Sequence, residues 1–147
     1  MKNINIVNKK GKFQYHLHDK YEAGIQLQGT EVKSAKLGQV SMVDSFCYLE
    51  KDEIFVKNLH IAEYTDGTYN NHTAKRVRKL LLNKQEIKKI KKKINEKGVT
   101  IIPYRLYLTD RGFVKLEIFT ATGKKNHDKR DSIKDRDTKR DLERYRL

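Results

Sequence analysis

Apolar and polar side chains alternate through Phe13, Gln14, Tyr15, His16, Leu17 and His18, the period of a strand with one buried face. Asp19 follows, with Glu22 three residues later. That spacing predicts a short capped helix ending at Gly29, with Tyr21, Ile25 and Leu27 turned inward. Residues 30–36 fit a helical turn or a strand equally well, and Gly38 closes them. Between residues 39 and 61 the pattern is that of strands, with 45–49 and 54–56 flanking a hairpin turn at Glu50, Lys51, Asp52 and Glu53, and 58–61 prolonging the second strand. Residues 65–73 read as a loop. Asn83 and Glu86 form a capping-box signature, and Ile87, Ile90 and Ile94 place one narrow apolar stripe on a helix that runs to Lys97 and stops at Gly98. Residues 99–108 and 113–120 are two strong strands around a turn at 109–112. Pro103 marks an edge or a bulge in the first of them. Residues 1–12 read as a loose arm with a short extended piece at 4–7. These elements predict a mostly β fold with α: an OB-type antiparallel β-barrel of about six strands with two or three peripheral helices.

The pattern fails after residue 122. Residues 123–147 hold ten Lys or Arg and six Asp or Glu, but only four clearly apolar side chains: Ile133, Leu142, Tyr145 and Leu147. So little burial cannot offset the entropy of ordering the segment. The chain therefore divides into a barrel domain, 1–122, and a basic C-terminal tail, 123–147, disordered alone and helical on a partner. Pairs such as Asp135 with Lys139 would each add about 0.2–0.5 kcal/mol to such a helix, enough to assist it and too little to sustain it.

Charge then indicates the kind of partner. The formal net charge of the 147 residues is +14, of which the tail's ten cations and six anions account for +4, leaving +10 on residues 1–122. Such a surplus raises association rates with polyanions. Eight Tyr and five Phe offer faces on which bases can stack. Nucleic acid suits this combination better than an anionic membrane, since no long basic helix with a wide apolar face is present. Lys75, Arg76, Arg78 and Lys79 form a dense cationic cluster after a polar loop and are the better candidate for phosphate contact. Most lysines of the 84–97 helix read simply as a solvated face.

Catalytic chemistry finds little support. His16 and His18 would share a strand face, but no Cys, Asp or Glu set completes a metal shell. Cys47, flanked by Phe46 and Tyr48, reads as packing, and a lone cysteine suits a reducing compartment. No phosphate-cradling glycine loop is present. No apolar run reaches bilayer-spanning length, and the N-terminus lacks a secretory signal. The expectation is a cytoplasmic, monomeric binding protein without catalytic residues, metal or cofactor.

Several motifs share one order and spacing with a known family. Asn8-Lys9-Lys10, Tyr21-Glu22-Ala23-Gly24-Ile25, Gly29-Thr30-Glu31-Val32-Lys33-Ser34, Arg78-Lys79-Leu80-Leu81-Leu82-Asn83, and Gly123-Lys124-Lys125 followed by Asp128-Lys129-Arg130 resemble small protein B, the SsrA-binding proteins of bacterial trans-translation. The resemblance runs from about residue 8 to the end. It implies an oligonucleotide-binding-type barrel that holds the tRNA-like domain of transfer-messenger RNA and delivers it to stalled 70S ribosomes. Elongation factor Tu with GTP and alanyl-tRNA synthetase would be reached indirectly through the RNA. Glu22, Leu81, Asn83 and Lys115 match family positions for RNA binding by the barrel, and Asn8, Lys9 and Lys10 would support the same face. Glu22 and Asn83 also read as helix caps, and Leu81 as core. In the tail, Gly123, Lys124 and Lys125 match a hinge, and Asp128, Lys129 and Arg130 match a triplet needed for accommodation at the 16S rRNA decoding region and empty mRNA channel. His127 matches a position proposed to stack on rRNA, with an idle exposed histidine as the alternative. Thr73-Ala74 and Thr122 depart from the family pattern. The competing function is that of a generic OB-fold or ribosome-associated RNA-binding protein.

Overall fold

A computed structural model describes residues 4–65 and 71–124. Strand β1 (Asn5–Val7) leads into helix α1 (Lys9–Gln14), long strand β2 (Tyr15–Ile25) and helix α2 (Gly29–Lys36). Then come β3 (Val40–Ser41), β4 (Phe46–Glu50), β5 (Glu53–Lys57), β6 (His60–Ile61) and β7 (Arg78–Leu81). Helix α3 (Lys84–Ile94) and strands β8 (Val99–Leu108) and β9 (Val114–Gly123) complete the order. The main sheet runs β1-β8-β4-β5-β7-β2-β9, and β8 also pairs with β9. Six antiparallel strands thus form a closed ring of pairings with β1 added at one edge, while β3 and β6 pair separately. Closure removes most open sheet edge, the liability of an isolated sheet. The mostly β fold with peripheral helices is as the sequence predicts.

Alternation builds the core. Ile54, Leu80, Ile101, Leu106, Leu116 and Ile118 are each at most 2% exposed and come from four ring strands. Fully burying each such side chain is worth about 1.5–3 kcal/mol. Helix α3 adds Ile90, which is fully buried, with Ile87 and Ile94 packed beside it. Its capping box is present as expected: Asn83 Oδ1 accepts from Glu86 N at 2.8 Å, and Glu86 Oε1 accepts from Asn83 N at 3.2 Å. The helix ends at Ile94 rather than Lys97, and Gly98, at φ +82°, turns the chain into β8. The β4–β5 turn places Lys51 and Asp52 at φ +50° and +60°, the paired left-handed geometry that suits the twist of a two-residue hairpin.

Three local expectations are corrected. The loose N-terminal arm is instead a strand and a helix. Asn5, Ile6 and Val7 pair with β8, and Asn8 caps α1 by accepting from Gly11 N at 3.0 Å. Phe13 and Gln14 lie in that helix, so the alternation beginning at Phe13 becomes strand only from Tyr15. Asp19 and Glu22 do not cap a helix, because β2 continues to Ile25. The capping-type spacing was overridden by pairing along β9, with a bulge between Leu17 and Lys20. The ambiguous segment 30–36 is helix. Pro103 does sit at a register shift, between Pro103 and Arg105.

Candidate nucleic-acid interface

The antiparallel register brings distant residues into one row across the sheet. Leu81 of β7 lies opposite Gly24 of β2, Gly24 opposite Lys115 of β9, Lys115 opposite Tyr107 of β8, and Tyr107 opposite Asn5 of β1. One step along the same face stand Glu22, Glu117, Arg105 and Val7. The residues between them, among them Leu80, Ala23, Leu116 and Leu106, point into the core. Every member of the row is therefore turned outward by the strand period of two.

Leu81 is 52% exposed, which corrects its reading as a core residue. Its side chain lies over Gly24, where an added Cβ would come within 3.2 Å of Leu81 Cβ. Lys115 is half-buried and has no ion pair with a described residue. Arg105 is held firmly: its Nη2 and Nε donate to Glu117 Oε2 at 3.0 and 3.2 Å, and its guanidinium lies 4.2 Å from the centre of the Tyr107 ring. Burial, then the charge and hydrogen bond of Glu22, raise the Tyr107 phenol above its ordinary pKa. Glu22 thus belongs to this face and caps nothing. Asn83 adjoins it as the N-cap of α3, which fixes where the chain leaves β7. Arg105, Tyr107 and Glu117 were missed in the sequence. Counting outward from the 109–112 turn would have found them, because the register there is unbroken from Leu108–Val114 to Arg105–Glu117.

The second expected group is divided. Arg78 is fully buried, so the expectation that it meets RNA directly is corrected. Its Nε donates to Glu31, its Nη1 to Leu59 O at 2.6 Å and its Nη2 to Ala74 O at 3.0 Å. Glu31, also fully buried, accepts from Arg76 Nη2 at 2.6 Å and from Gln28 N at 2.8 Å. Burial alone would push the Glu31 carboxyl up, but the bonds from Arg76, Gln28 and Arg78 outweigh it and hold the group below its usual value. This ion triad ties α2 to β7, and only Arg76 keeps part of its side chain exposed. Lys79 is partly exposed and paired with Glu53 at 2.9 Å.

Asn8 is buried, and its Nδ2 donates to Pro103 O at 2.8 Å, so it acts as a clasp for α1. Lys9 is exposed, and Lys10 reaches Asp44 at 3.2 Å. Gly11 follows Lys10 with reason: a Cβ there would meet Asn8 Nδ2 at 2.7 Å and Ile102 Cγ2 at 3.1 Å. Gly123 is the last residue of β9, opposite Tyr15, and Lys124 N donates to Gln14 O at 2.9 Å. Lys125, His127, Asp128, Lys129 and Arg130 lie outside the described residues. Among the described residues no three His, Cys, Asp or Glu side chains gather as a metal set, and no helix is long and apolar enough to cross a membrane. Burial pushes the Cys47 thiol up, away from the reactive thiolate.

A closed antiparallel ring with helices packed on it and an outward row of cationic, aromatic and apolar side chains defines an OB-type β protein. Within that class, the chain belongs to the SmpB protein family, whose model matches residues 5–146. An SsrA-binding protein of Bacteroides thetaiotaomicron is 54% identical, over 96% of this chain and 94% of that one. The SsrA-binding protein of Flavobacterium psychrophilum is 51% identical, over 99% and 97%. A solved structure described as "tmRNA-SmpB: a journey to the center of the bacterial ribosome" superposes with a TM-score of 0.70 at 37% identity, covering 88% of this chain and 94% of that chain.

Proposed function

We propose that the chain binds the tRNA-like domain of transfer-messenger RNA and delivers it to stalled ribosomes in trans-translation. The observation that carries this reading is the single row holding Leu81, Gly24, Lys115 and Tyr107, with Glu22 one step away, in a chain whose relatives are named SsrA-binding proteins. Lys115 meets phosphate. Leu81 beside Gly24 offers an apolar seat for a base or ribose, and Glu22 with Tyr107 supplies hydrogen-bonding groups to nucleotide edges. Asn83 and Asn8 act by fixing the backbone around this face. Lys9, Lys10, Arg76 and Lys79 add positive field at its margins, and Arg78 acts only through the framework.

In this proposal residues 123–147 form the second functional part. Gly123, Lys124 and Lys125 direct the tail, and His127, Asp128, Lys129 and Arg130 engage the decoding region of the small subunit and the empty mRNA channel. The protein works in the cytoplasm as a monomeric adaptor without a catalytic step, and meets elongation factor Tu and alanyl-tRNA synthetase only through the RNA. A pull-down of cellular RNA with the full chain tests the reading: one transfer-messenger RNA should dominate, and equal recovery of unstructured RNAs would support a generic RNA-binding module instead. Replacing Asp128, Lys129 and Arg130 together with Ala should leave RNA binding intact and stop tagging on stalled ribosomes. Loss of RNA affinity as severe as that of Lys115→Ala would refute the division between ring and tail.

A further inference from the structure

Farther round the ring from Lys115, beyond β2 and β7, β4 and β5 carry an aromatic cluster on their outward face. Phe46 and Tyr48 have ring centroids 6.4 Å apart at 48°, and Tyr48 and Phe55 lie 5.6 Å apart at 24°. The alternating neighbours Cys47, Leu49, Ile54 and Val56 belong to the core, so the three rings face away from it. Phe46 is 37% exposed, and Tyr48 and Phe55 are half-buried, each shielded in part by its neighbour. Cations flank the rings across the ladder: Lys57 stands opposite Phe46, and Lys79 opposite Phe55. Lys79 is paired with Glu53, while Lys57 is exposed and has no ion pair with a described residue.

Cross-strand aromatic pairs stabilise any hairpin. A ladder serving that purpose alone has no need of an exposed terminal ring or of lysines beside it. Rings already ordered by contact with one another lose little freedom when a base stacks on them, and a cation beside each end of the ladder complements a phosphate backbone. We infer that Phe46, Tyr48 and Phe55 form a stacking platform for unpaired bases of single-stranded RNA, with Lys57 and Lys79 meeting its phosphates. The platform reads no base edge, so it tolerates any sequence. It would give the protein a second RNA-binding surface, centred on β4 and β5 and meeting the margin of the Lys115 row at Lys79.

The test uses the full chain and a fluorescein-labelled oligouridylate of about eight nucleotides, within the span of one OB-type surface. Phe46→Ala should weaken its binding by about 5- to 150-fold, the loss of one stacked base. Lys57→Glu should weaken it and flatten its salt dependence. Neither should change binding of a folded tRNA-like RNA, whereas Lys115→Ala should weaken the folded RNA and spare the oligonucleotide. Ultraviolet crosslinks of the oligonucleotide to the unmutated protein should fall within residues 46–57. The platform is refuted if both variants, with unaltered unfolding curves, bind the oligonucleotide as the parent does, or if the crosslinks fall only elsewhere. Failure of Lys115→Ala to weaken folded RNA would instead count against the proposed function and leave the platform standing.

Discussion

Two regions of this molecule use the same charged chemistry in opposite ways. Under α2, Glu31, Arg76 and Arg78 form an ion triad in which Glu31 and Arg78 lose all contact with solvent. On the sheet face, Arg105 binds Glu117 beside a half-buried Lys115 that has no ion pair with a described residue. The first arrangement satisfies its charges internally and leaves little to offer a partner. The second fixes one cation with a carboxylate and an aromatic ring, and leaves its neighbour available. Cation density in the sequence is greater at residues 75–79, yet Arg78 there is fully buried, and Arg76 and Lys79 are paired with carboxylates. What separates them is whether a carboxylate from another element comes within reach.

The largest effect is expected at Glu31. Glu31→Ala leaves the Arg78 guanidinium buried without its charge partner and should cost about 3–5 kcal/mol of stability, read from denaturant unfolding. Its main effect should be on folding, with RNA binding falling only as the folded fraction falls. Lowering the pH probes the same triad. Because the folded-state pKa of Glu31 lies below its unfolded value, its contribution is present above the ordinary carboxylate pKa and is lost as pH falls toward and through the lowered one. Unfolding midpoints of the parent should therefore drop more steeply with acid below about pH 4.3 than those of Glu31→Gln. Equal slopes would show that the triad does not hold Glu31 ionised.

Asn83→Ala lies between the two regimes. Loss of the cap should cost about 1 kcal/mol, and RNA affinity should fall because the exit from β7 loosens beside Leu81. If affinity is untouched, Asn83 has no part in the site. On the sheet face, Lys115→Ala should change stability by less than about 0.5 kcal/mol, while the slope of log affinity against log salt should fall by about 1. An unchanged slope would remove Lys115 from phosphate contact. The smallest effect is expected at Cys47: alkylation should be negligible in the folded protein and complete in denaturant, and rapid modification of the native chain would contradict its burial.

Much of the scaffold was legible because its signals are local. The capping box at Asn83 and Glu86, the Ile87, Ile90 and Ile94 stripe, and the two hairpin turns each depend on residues within about one helical turn or one reversal of the chain. The errors also have a common origin. Asp19 and Glu22 carry a helix-start spacing, but eight residues of β2 pair with β9, and that long-range pairing overrode it. Residues 1–12 read as a loose arm with a short extended piece, yet β1 adds to the edge of β8 and Asn8 clasps Pro103 from 95 positions away. No local pattern announces a partner at that distance.

The fold class follows from residue order alone, because period-two alternation closed by tight turns has few ways to bury its apolar half. Residue order also determined the contrast between a chain able to form a core and a final segment with four apolar side chains among its 25 residues. The motifs in register were enough to indicate the family. Which charges are satisfied internally and which face outward depends on the assembled ring. Arg78 and Lys115 are both cations on ring strands. One meets a buried carboxylate from α2, and the other lies between Gly24 and Tyr107 on an open face. Burial and pairing depend on what other elements bring near, and that is settled only when the ring closes.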